Sequence, residues 1–344
     1  MRVQEKNQFE LQSRNNMYHV GIFGYVLMIL DCFKAIGVSD QKLTKQSIVN
    51  NFRLKNPNRF VPIHVIYDFY EIIGKYFESK KTPEKFFEGI QFCNLGKTGK
   101  FINSSSKLLM AFQNLDKYDH YFCTNQSSDL AILGSTSSIS NRFKDDQNRA
   151  QIILEYTWLC LIKNLLKSVN KNKWDPVEVH FSFEKSAFTY SFLNKATPVK
   201  YNQKNTTIFF KSSLLLNNLV KKGNCEDYVA FNKTFLQKPP VDLSSKIEHI
   251  LENNRSSNLP TLQSIAELFG VSQATFKRHL ALENTNYKEL INRWRLNNSV
   301  SLLMDTDKSI IEISEKLYYT KSANFIRAFK KWTGHTPMNF RQSE

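Results

Sequence analysis

Cysteine is scarce in this chain, and the few cysteines follow no motif. The five of them, Cys32, Cys93, Cys123, Cys160 and Cys225, lie far apart and form no C-x-x-C pair. They predict neither a disulfide framework nor a zinc site, so no metal is expected. An odd number of widely spaced cysteines is typical of a protein in a reducing compartment. The predicted location is therefore the cytoplasm.

Motifs of the common enzyme classes are also missing. The chain has no G-x-S-x-G, P-loop, H-E-x-x-H or G-x-G-x-x-G sequence, and its seven histidines are scattered. No cofactor is expected, no catalytic residue can be named, and the chain is predicted not to be an enzyme.

Long apolar runs are absent as well. The most apolar stretch runs from Val20 to Leu30 and is interrupted by Asp31. A bilayer span needs about twenty such residues, so this run predicts a buried core helix and no membrane partner. No basic region followed by a small-residue cleavage site precedes it, which argues against a signal peptide.

What the chain does have is positive charge, with a formal net charge of +16 over 344 residues. Residues 241–344 carry 14 Lys or Arg and 11 Asp or Glu, hence +3, which leaves +13 for residues 1–240. The upstream excess comes from scattered lysines, which is typical of a solvated surface. Charge alone therefore does not locate a nucleic-acid site.

A repeated pattern near the C-terminus is more informative. Residues 265–280 read "IAELFGVSQATFKRHL", and residues 313–329 read "ISEKLYYTKSANFIRAF". Each copy predicts a short helix, a tight turn and a second helix with a basic residue two positions after an aromatic one. This is the helix-turn-helix pattern, and two copies in one segment are far more specific than one.

The turn residues of the two copies fit this interpretation. Small residues, Ala266 and Ser314, let the helices approach, and Gly270 can adopt positive φ. Ser272 in the first copy and Thr320 in the second can cap the following helix.

Between the copies, the segment "TNYKELINRWRLNNSVSLLMDTD" predicts a connecting helix. Thr285 is a plausible start, and the polar "DTDKS" a plausible stop. About twenty residues make a rod of about 30 Å, close to the 34 to 36 Å between successive major-groove faces of B-DNA. Ser309 and Glu312 predict a capping box for the next helix. One face of this helix, at helical spacing, is predicted to carry Tyr287, Leu290, Ile291, Trp294, Asn298 and Leu302.

Residues 244–342 resemble the DNA-binding domain of the AraC/XylS transcription regulators. The resemblance rests on the two copies, on the connecting helix and on the closing run "SANFIRAFKKWTGHTPMNFR". It implies a seven-helix domain of two lobes, in which the second helix of each lobe enters the major groove.

The resemblance also implies which residues contact DNA. By position they are Ser272, Gln273, Ala274, Thr275, Lys277, Arg278, Lys321, Ser322, Asn324, Arg327, Lys330 and Lys331. Arg278 and Arg327 are the candidate base readers, because arginine pairs bidentately with guanine. Lys330 and Lys331 are candidate phosphate contacts. The aromatic and apolar residues of these helices, Phe276, Leu280, Phe325, Phe329 and Trp332, are expected in the core.

The sequence departs from the family pattern at three positions. Tyr318 stands where glycine is usual, so this turn must either accept a non-glycine residue or rearrange. Asn284 replaces a second glycine, a milder change because asparagine tolerates positive φ. Ser299 replaces an alanine of the connecting helix.

Upstream of Pro239, the chain predicts an α/β or α+β domain over residues 18–238. Helical patterns run through "GIFGYVLMILDCFKAIG", "IHVIYDFYEIIGKYFE", "SKLLMAFQNLDKY" and "RAQIILEYTWLCLIKNLLKSV", and "DLAILGS", "VEVHFSF" and "TTIFF" predict strands. The order resembles the arabinose-binding type of sensing domain found in AraC relatives. Residues 1–17 predict a disordered tail and 239–243 a linker.

Together these features predict a sequence-specific transcription regulator, an activator because most members of the resembled family activate. Its expected partners are double-stranded promoter DNA, RNA polymerase, an effector of unknown identity that the upstream domain would sense, and a second copy in a homodimer. The alternatives are a DNA-repair methyltransferase with an AraC-like domain and an architectural DNA-binding protein without effector sensing. The methyltransferase would need an activated thiol beside a histidine, and none of the cysteines has that sequence context.

Overall fold

The computed structural model describes residues 18–45, 47–51, 56–79, 84–143, 149–169, 175–185, 193, 196–220, 236, 238–254 and 258–342. The tail predicted over residues 1–17 lies outside these ranges. Contacts divide the chain into two compact units, Asn16–Pro239 and a second unit that contains Pro240–Glu344. That residues 18–238 and 244–342 are domains that fold independently stays a prediction. No helix in the described ranges is long and apolar enough to cross a membrane.

The upstream unit combines helices with two sheets. Its helices are α1 (Gly24–Ala35), α2 (Asp40–Thr44), α3 (Ile63–Ser79), α4 (Glu84–Glu88), α5 (Gly96–Asn103), α6 (Leu108–Tyr118) and α7 (Arg149–Val169). Its strands are β1 (Val20–Ile22), β2 (Phe60–Pro62), β3 (Gln126–Leu133), β4 (Thr136–Phe143), β5 (Glu178–His180), β6 (Val199–Lys200) and β7 (Thr206–Lys211). The expectation of an α/β unit with sheets is confirmed.

The larger sheet among the described residues has the order β3-β4-β7-β5-β6. All of its pairs are antiparallel except β5 with β6, so the sheet is mixed. The residue Ile139 of β4 pairs with Ile208 of β7, and both are fully buried. The predicted "VEVHFSF" strand is shorter than expected, since β5 covers only Glu178–His180.

The apolar run from Val20 to Leu30 was wrongly predicted as one helix. Its first three residues form β1, which pairs antiparallel with β2, and only from Gly24 does the chain become helical. Pairing with a strand 40 residues away overrides the local helical pattern. The run is nevertheless buried, as expected.

In the described residues, the downstream unit is entirely helical. Its elements are α8 (Leu243–Glu252), α9 (Leu262–Leu268), α10 (Gln273–Leu282), α11 (Tyr287–Met304), α12 (Ile310–Lys316), α13 (Ser322–Thr333) and α14 (Pro337–Gln342). Here α9 and α10 are called the first helix pair, α12 and α13 the second helix pair, and α11 the connecting helix. Because α8 starts at Leu243 with Asp242 as its N-cap, the end of the predicted linker is already helical.

The connecting helix buries different sides in its two halves. Leu290 and Trp294 are buried in the first half, and Ser299 and Leu303 in the second. At about 100° per residue, these two sets lie on opposite sides of the helix. The first half bonds to α8 through Arg293 and Glu248, which are 2.5 Å apart.

The second half of the connecting helix faces the end of the chain, where Arg341 Nε of α14 donates to the Leu303 carbonyl at 3.2 Å. Of the six residues predicted to share one face, Leu290 and Trp294 are buried and the other four are half-buried. The predicted start was also one position early, because Asn286, not Thr285, caps the helix. Because the two halves of the helix pack against different neighbours, the buried residues of the whole helix do not lie on one face.

Candidate nucleic-acid interface

The turns of the two helix pairs have the same backbone geometry. In the first pair, Val271 N–H donates to Ala266 O at 3.1 Å and Gly270 N–H to Glu267 O at 3.0 Å. These two bonds define a Schellman motif, in which the residue after the C-cap takes positive φ. Gly270 has φ +69°, as predicted.

The second turn repeats these bonds with different residues. Tyr319 N–H donates to Ser314 O at 2.9 Å, and Tyr318 N–H to Glu315 O at 3.0 Å. Tyr318 takes φ +59°, so the turn accepts the non-glycine residue without rearranging. Asn284, after α10, likewise has φ +54°. Ala266 and Ser314, the small residues of the two first helices, are buried.

The first helix pair presents one polar side of α10 to solvent. Gln273, Ala274, Lys277 and Arg278 are exposed, whereas Phe276 and Leu280 on the other side are buried. Ser272, also exposed, caps α10 by accepting from Thr275 N–H at 3.1 Å, and the Thr275 side chain is half-buried. The capping prediction for Ser272 is confirmed.

In the second helix pair, α13 has a comparable exposed side. Lys321, Arg327, Lys330 and Lys331 are exposed, and Ser322 and Asn324 are half-buried. The Arg327 guanidinium donates from Nη2 to Asn324 Oδ1 at 2.6 Å, which holds both side chains on the outer surface of α13.

The expected cap of α13 was wrong. Its N-cap is Lys321, without a side-chain hydrogen bond, and not Thr320, because α13 starts one residue later than the aligned first copy suggests. The capping box of Ser309 and Glu312 at the start of α12 is confirmed.

The buried sides of both pairs are aromatic. Phe276, Phe325 and Phe329 are fully buried, as predicted, and the rings of Phe325 and Phe329 lie 5.8 Å apart. Trp332, expected in the core, is only half-buried. It lies in the last turn of α13.

Residues outside the predicted set hold the helix pairs in place. Glu283, the C-cap of α10, accepts from Leu243 N–H at 2.8 Å and Ser244 N–H at 2.9 Å, which ties α10 to the start of α8. The neighbouring Lys246 is buried, and desolvation lowers the pKa of its ammonium to about 8, against the opposing effect of Asp242 and Glu283.

The second helix pair is held by a residue of the connecting helix and by one after α8. Arg295 Nε donates to Leu317 O at 3.0 Å and its Nη2 to Tyr318 O at 3.2 Å. The side-chain amide of Asn254 donates to Tyr318 Oη at 3.1 Å. No sequence signal marked Asn254, Glu283 or Arg295, because their partners lie 22 to 64 residues away.

Comparison with known proteins identifies part of the chain. Residues 265–343 match the family model described as "Helix-turn-helix domain". These residues form a helix-turn-helix domain of the AraC type. The match begins within α9 and contains α10, the connecting helix and the second helix pair.

Curated relatives of this AraC-type domain have names of regulators. The chain is similar to the HTH-type transcriptional activator CfaD of Escherichia coli, with 27% identity over 178 residues, which are 52% of this chain and 57% of that protein. It is also similar to the HTH-type transcriptional regulator VqsM of Pseudomonas aeruginosa, with 30% identity over 29% of this chain and 31% of that protein. The chain thus spans a little over half the length of CfaD and about a third of VqsM.

One solved structure extends over most of the chain. The transcriptional regulator CdpR from Pseudomonas aeruginosa covers 92% of this chain and 97% of that one, with 16% identity and a TM-score of 0.37.

Proposed function

We propose that the chain is a sequence-specific DNA-binding transcription regulator that activates its targets. The observation that supports this most is the matched pair of exposed polar helix sides on α10 and α13, each following a Schellman turn in the AraC-type domain. Relatives with the same domain are named transcriptional activators.

The two exposed sides suit two successive major grooves. The connecting helix has 18 residues, or about 27 Å at 1.5 Å per residue. Successive major-groove faces on one side of B-DNA are about 34 to 36 Å apart. The connecting helix packs against α8, α12 and α14. A rod of this length is adequate to present α10 and α13 to one face of the duplex as two lobes of a single reader.

Within this proposal, the DNA-contacting residues divide by role. Arg278 and Arg327 read guanine edges, assisted by Gln273 and Asn324, since these side chains have the donors and acceptors that base edges need. Lys330 and Lys331, near the end of α13, contact phosphates, which account for half or more of the hydrogen bonds in such interfaces.

The upstream unit is proposed to sense a small molecule or to mediate homodimerisation, and so to bias the reader between active and idle states. It has a core of its own around α3, α7 and the mixed sheet, which DNA binding alone does not require. This argues against a purely architectural protein. Promoter DNA and RNA polymerase complete the proposed partners.

A methyltransferase is the less favoured alternative on chemical grounds. Thiol alkylation needs a thiolate, formed where the surroundings lower the thiol pKa. Burial instead raises the pKa of the Cys32 thiol to about 12 and raises that of Cys160 further.

The test is a selection from a random DNA library with the full chain, followed by binding measurements at two salt concentrations. Arg278→Ala and Arg327→Ala should each weaken the best site by about 1 to 3 kcal/mol and relax preference at one base position.

Lys330→Ala is the matched control, because a lost phosphate contact weakens all sequences alike and lowers the salt slope by about one unit. Uniform weakening with unchanged preferences in both arginine variants would overturn the base-reading roles. Failure of the wild-type chain to enrich any sequence would overturn the proposed function itself.

A further inference from the structure

Tyr318 differs from its counterpart Gly270 in having a side chain that reaches across the AraC-type domain. Its hydroxyl accepts from Asn254 Nδ2 at 3.1 Å and lies 3.3 Å from the Asn254 carbonyl, to which it can donate. Asn254 follows α8 and precedes the first helix pair. The turn of the second helix pair is therefore bonded directly to the first half of the domain.

The ring of Tyr318 makes a second contact, with the connecting helix. It lies 6.0 Å from the ring of Trp294, centroid to centroid, at an interplanar angle of 32°. Trp294 itself is buried in the first half of the connecting helix. The side chain thus packs against the connecting helix at the same time as it bonds to Asn254.

The backbone of the same turn is held by Arg295. Besides its bonds to the carbonyls of Leu317 and Tyr318, its guanidinium lies over the ring of Tyr319, 4.1 Å from the centroid. A cation at the C-terminal carbonyls of α12 also has a favourable interaction with the helix dipole. Side chain and backbone of the turn are therefore fixed from the same direction.

We propose that Tyr318 is a positioning residue that sets the separation and angle between the two DNA-contacting helices, and so the base-pair spacing that the protein accepts. This rests on the proposed function. Arg295 attaches the backbone of the second turn to the connecting helix, and the Tyr318 side chain adds a second attachment, to Asn254 after α8. Two attachments at different points restrict the rotation of the second helix pair more than one does.

A positioning role is distinguished from a purely stabilising one by the change in DNA affinity when the spacing between the two contacted blocks of base pairs is altered. One added base pair between two contacted blocks rotates them by about 34 to 36° and separates them by about 3.4 Å. A rigid reader should lose about tenfold or more in affinity, whereas a pivoting reader follows the displaced block.

The experiment uses the full chain and three variants on the selected site and on the same site with one base pair inserted. Tyr318→Gly removes ring and hydroxyl yet keeps the positive φ, and Tyr318→Phe removes only the hydroxyl. Asn284→Gly is the control, since Asn284 is also a non-glycine residue at positive φ but, unlike the half-buried Tyr318, is exposed.

The insertion penalty is expected to be about tenfold or more in the wild type and Asn284→Gly, to fall to within about threefold in Tyr318→Gly, and to be intermediate in Tyr318→Phe. Equal penalties in wild type and Tyr318→Gly, with both folded and binding the selected site, would overturn the positioning role. Absence of any selected site for the wild type would instead refute the proposed function.

Discussion

In the first helix pair, Gly270 provides the positive φ of the turn and Ser272 caps α10. In the second pair, Tyr318 occupies the same conformation and Lys321 precedes α13 without a side-chain cap. The backbone hydrogen bonds of the two turns are nonetheless the same. The first turn is specified by local residue preferences, and the second by contacts with Asn254, Trp294 and Arg295.

The same turn geometry in the two helix pairs therefore has different physical causes. A non-glycine residue in the left-handed region costs about 1 to 2 kcal/mol. In the second turn that cost is offset by two hydrogen bonds to Asn254 and a ring contact. These contacts form only when distant parts of the chain have come together.

The largest expected loss of stability comes from truncating a buried side chain in either half of the connecting helix. Leu290 and Leu303 are both buried, so truncating either to alanine should cost about 2 to 5 kcal/mol. Leu290→Ala should accelerate amide hydrogen exchange mainly in the first helix pair, and Leu303→Ala mainly in the second. Mass spectrometry of the full chain can measure both.

Asn297→Ala, at an exposed position of the same helix, is the matched control and should change neither pair. If both leucine variants accelerate exchange equally in both pairs, the domain unfolds as one cooperative unit, and the two helix pairs do not differ in local stability.

A smaller effect is expected from making the first turn resemble the second. Gly270→Tyr places a β-carbon at φ +69° and should lower the free energy of unfolding by about 1 to 2 kcal/mol. Urea unfolding followed by circular dichroism measures this, with Gly270→Asn as a control that should lose less. An unchanged midpoint for Gly270→Tyr would show that positive φ is not what glycine contributes here.

The smallest effect concerns the helix caps. Ser272→Ala removes the bond to Thr275 N–H and should cost about 1 kcal/mol, whereas Lys321→Ser supplies a missing cap to α13 and should gain about 0.5 kcal/mol. Both are measured by urea unfolding at constant m-value. A loss of stability in Lys321→Ser would mean that Lys321 has a stabilising role that a cap does not replace.

Local sequence rules predicted the features whose causes are local. The capping box at Ser309, the positive φ of Gly270 and Asn284, and the buried aromatic sides of α10 and α13 all follow from residues within one or two turns of each other. The match of residues 265–343 agrees with the repeated pattern from which the AraC-type domain was predicted.

Features with distant causes were missed. The strand β4 reads "TSSISNRF", which is too polar to be predicted as a strand, and it forms by pairing with β3 on one side and β7 on the other. The strand β1 was missed because it belongs to the apolar run from Val20 to Leu30, whose pattern is also compatible with a helix. The anchoring of Tyr318 depends on Asn254, 64 residues earlier in the chain.

Because the two halves of the connecting helix bury opposite sides, insertions and deletions in this helix alter its packing. One residue inserted between Trp294 and Ser299 would turn everything beyond it by about 100° and advance it by about 1.5 Å. Seven residues, close to two full turns, would restore the direction but lengthen the rod by about 10 Å. This segment can therefore diverge by substitution, while single-residue insertions and deletions in it disrupt the domain.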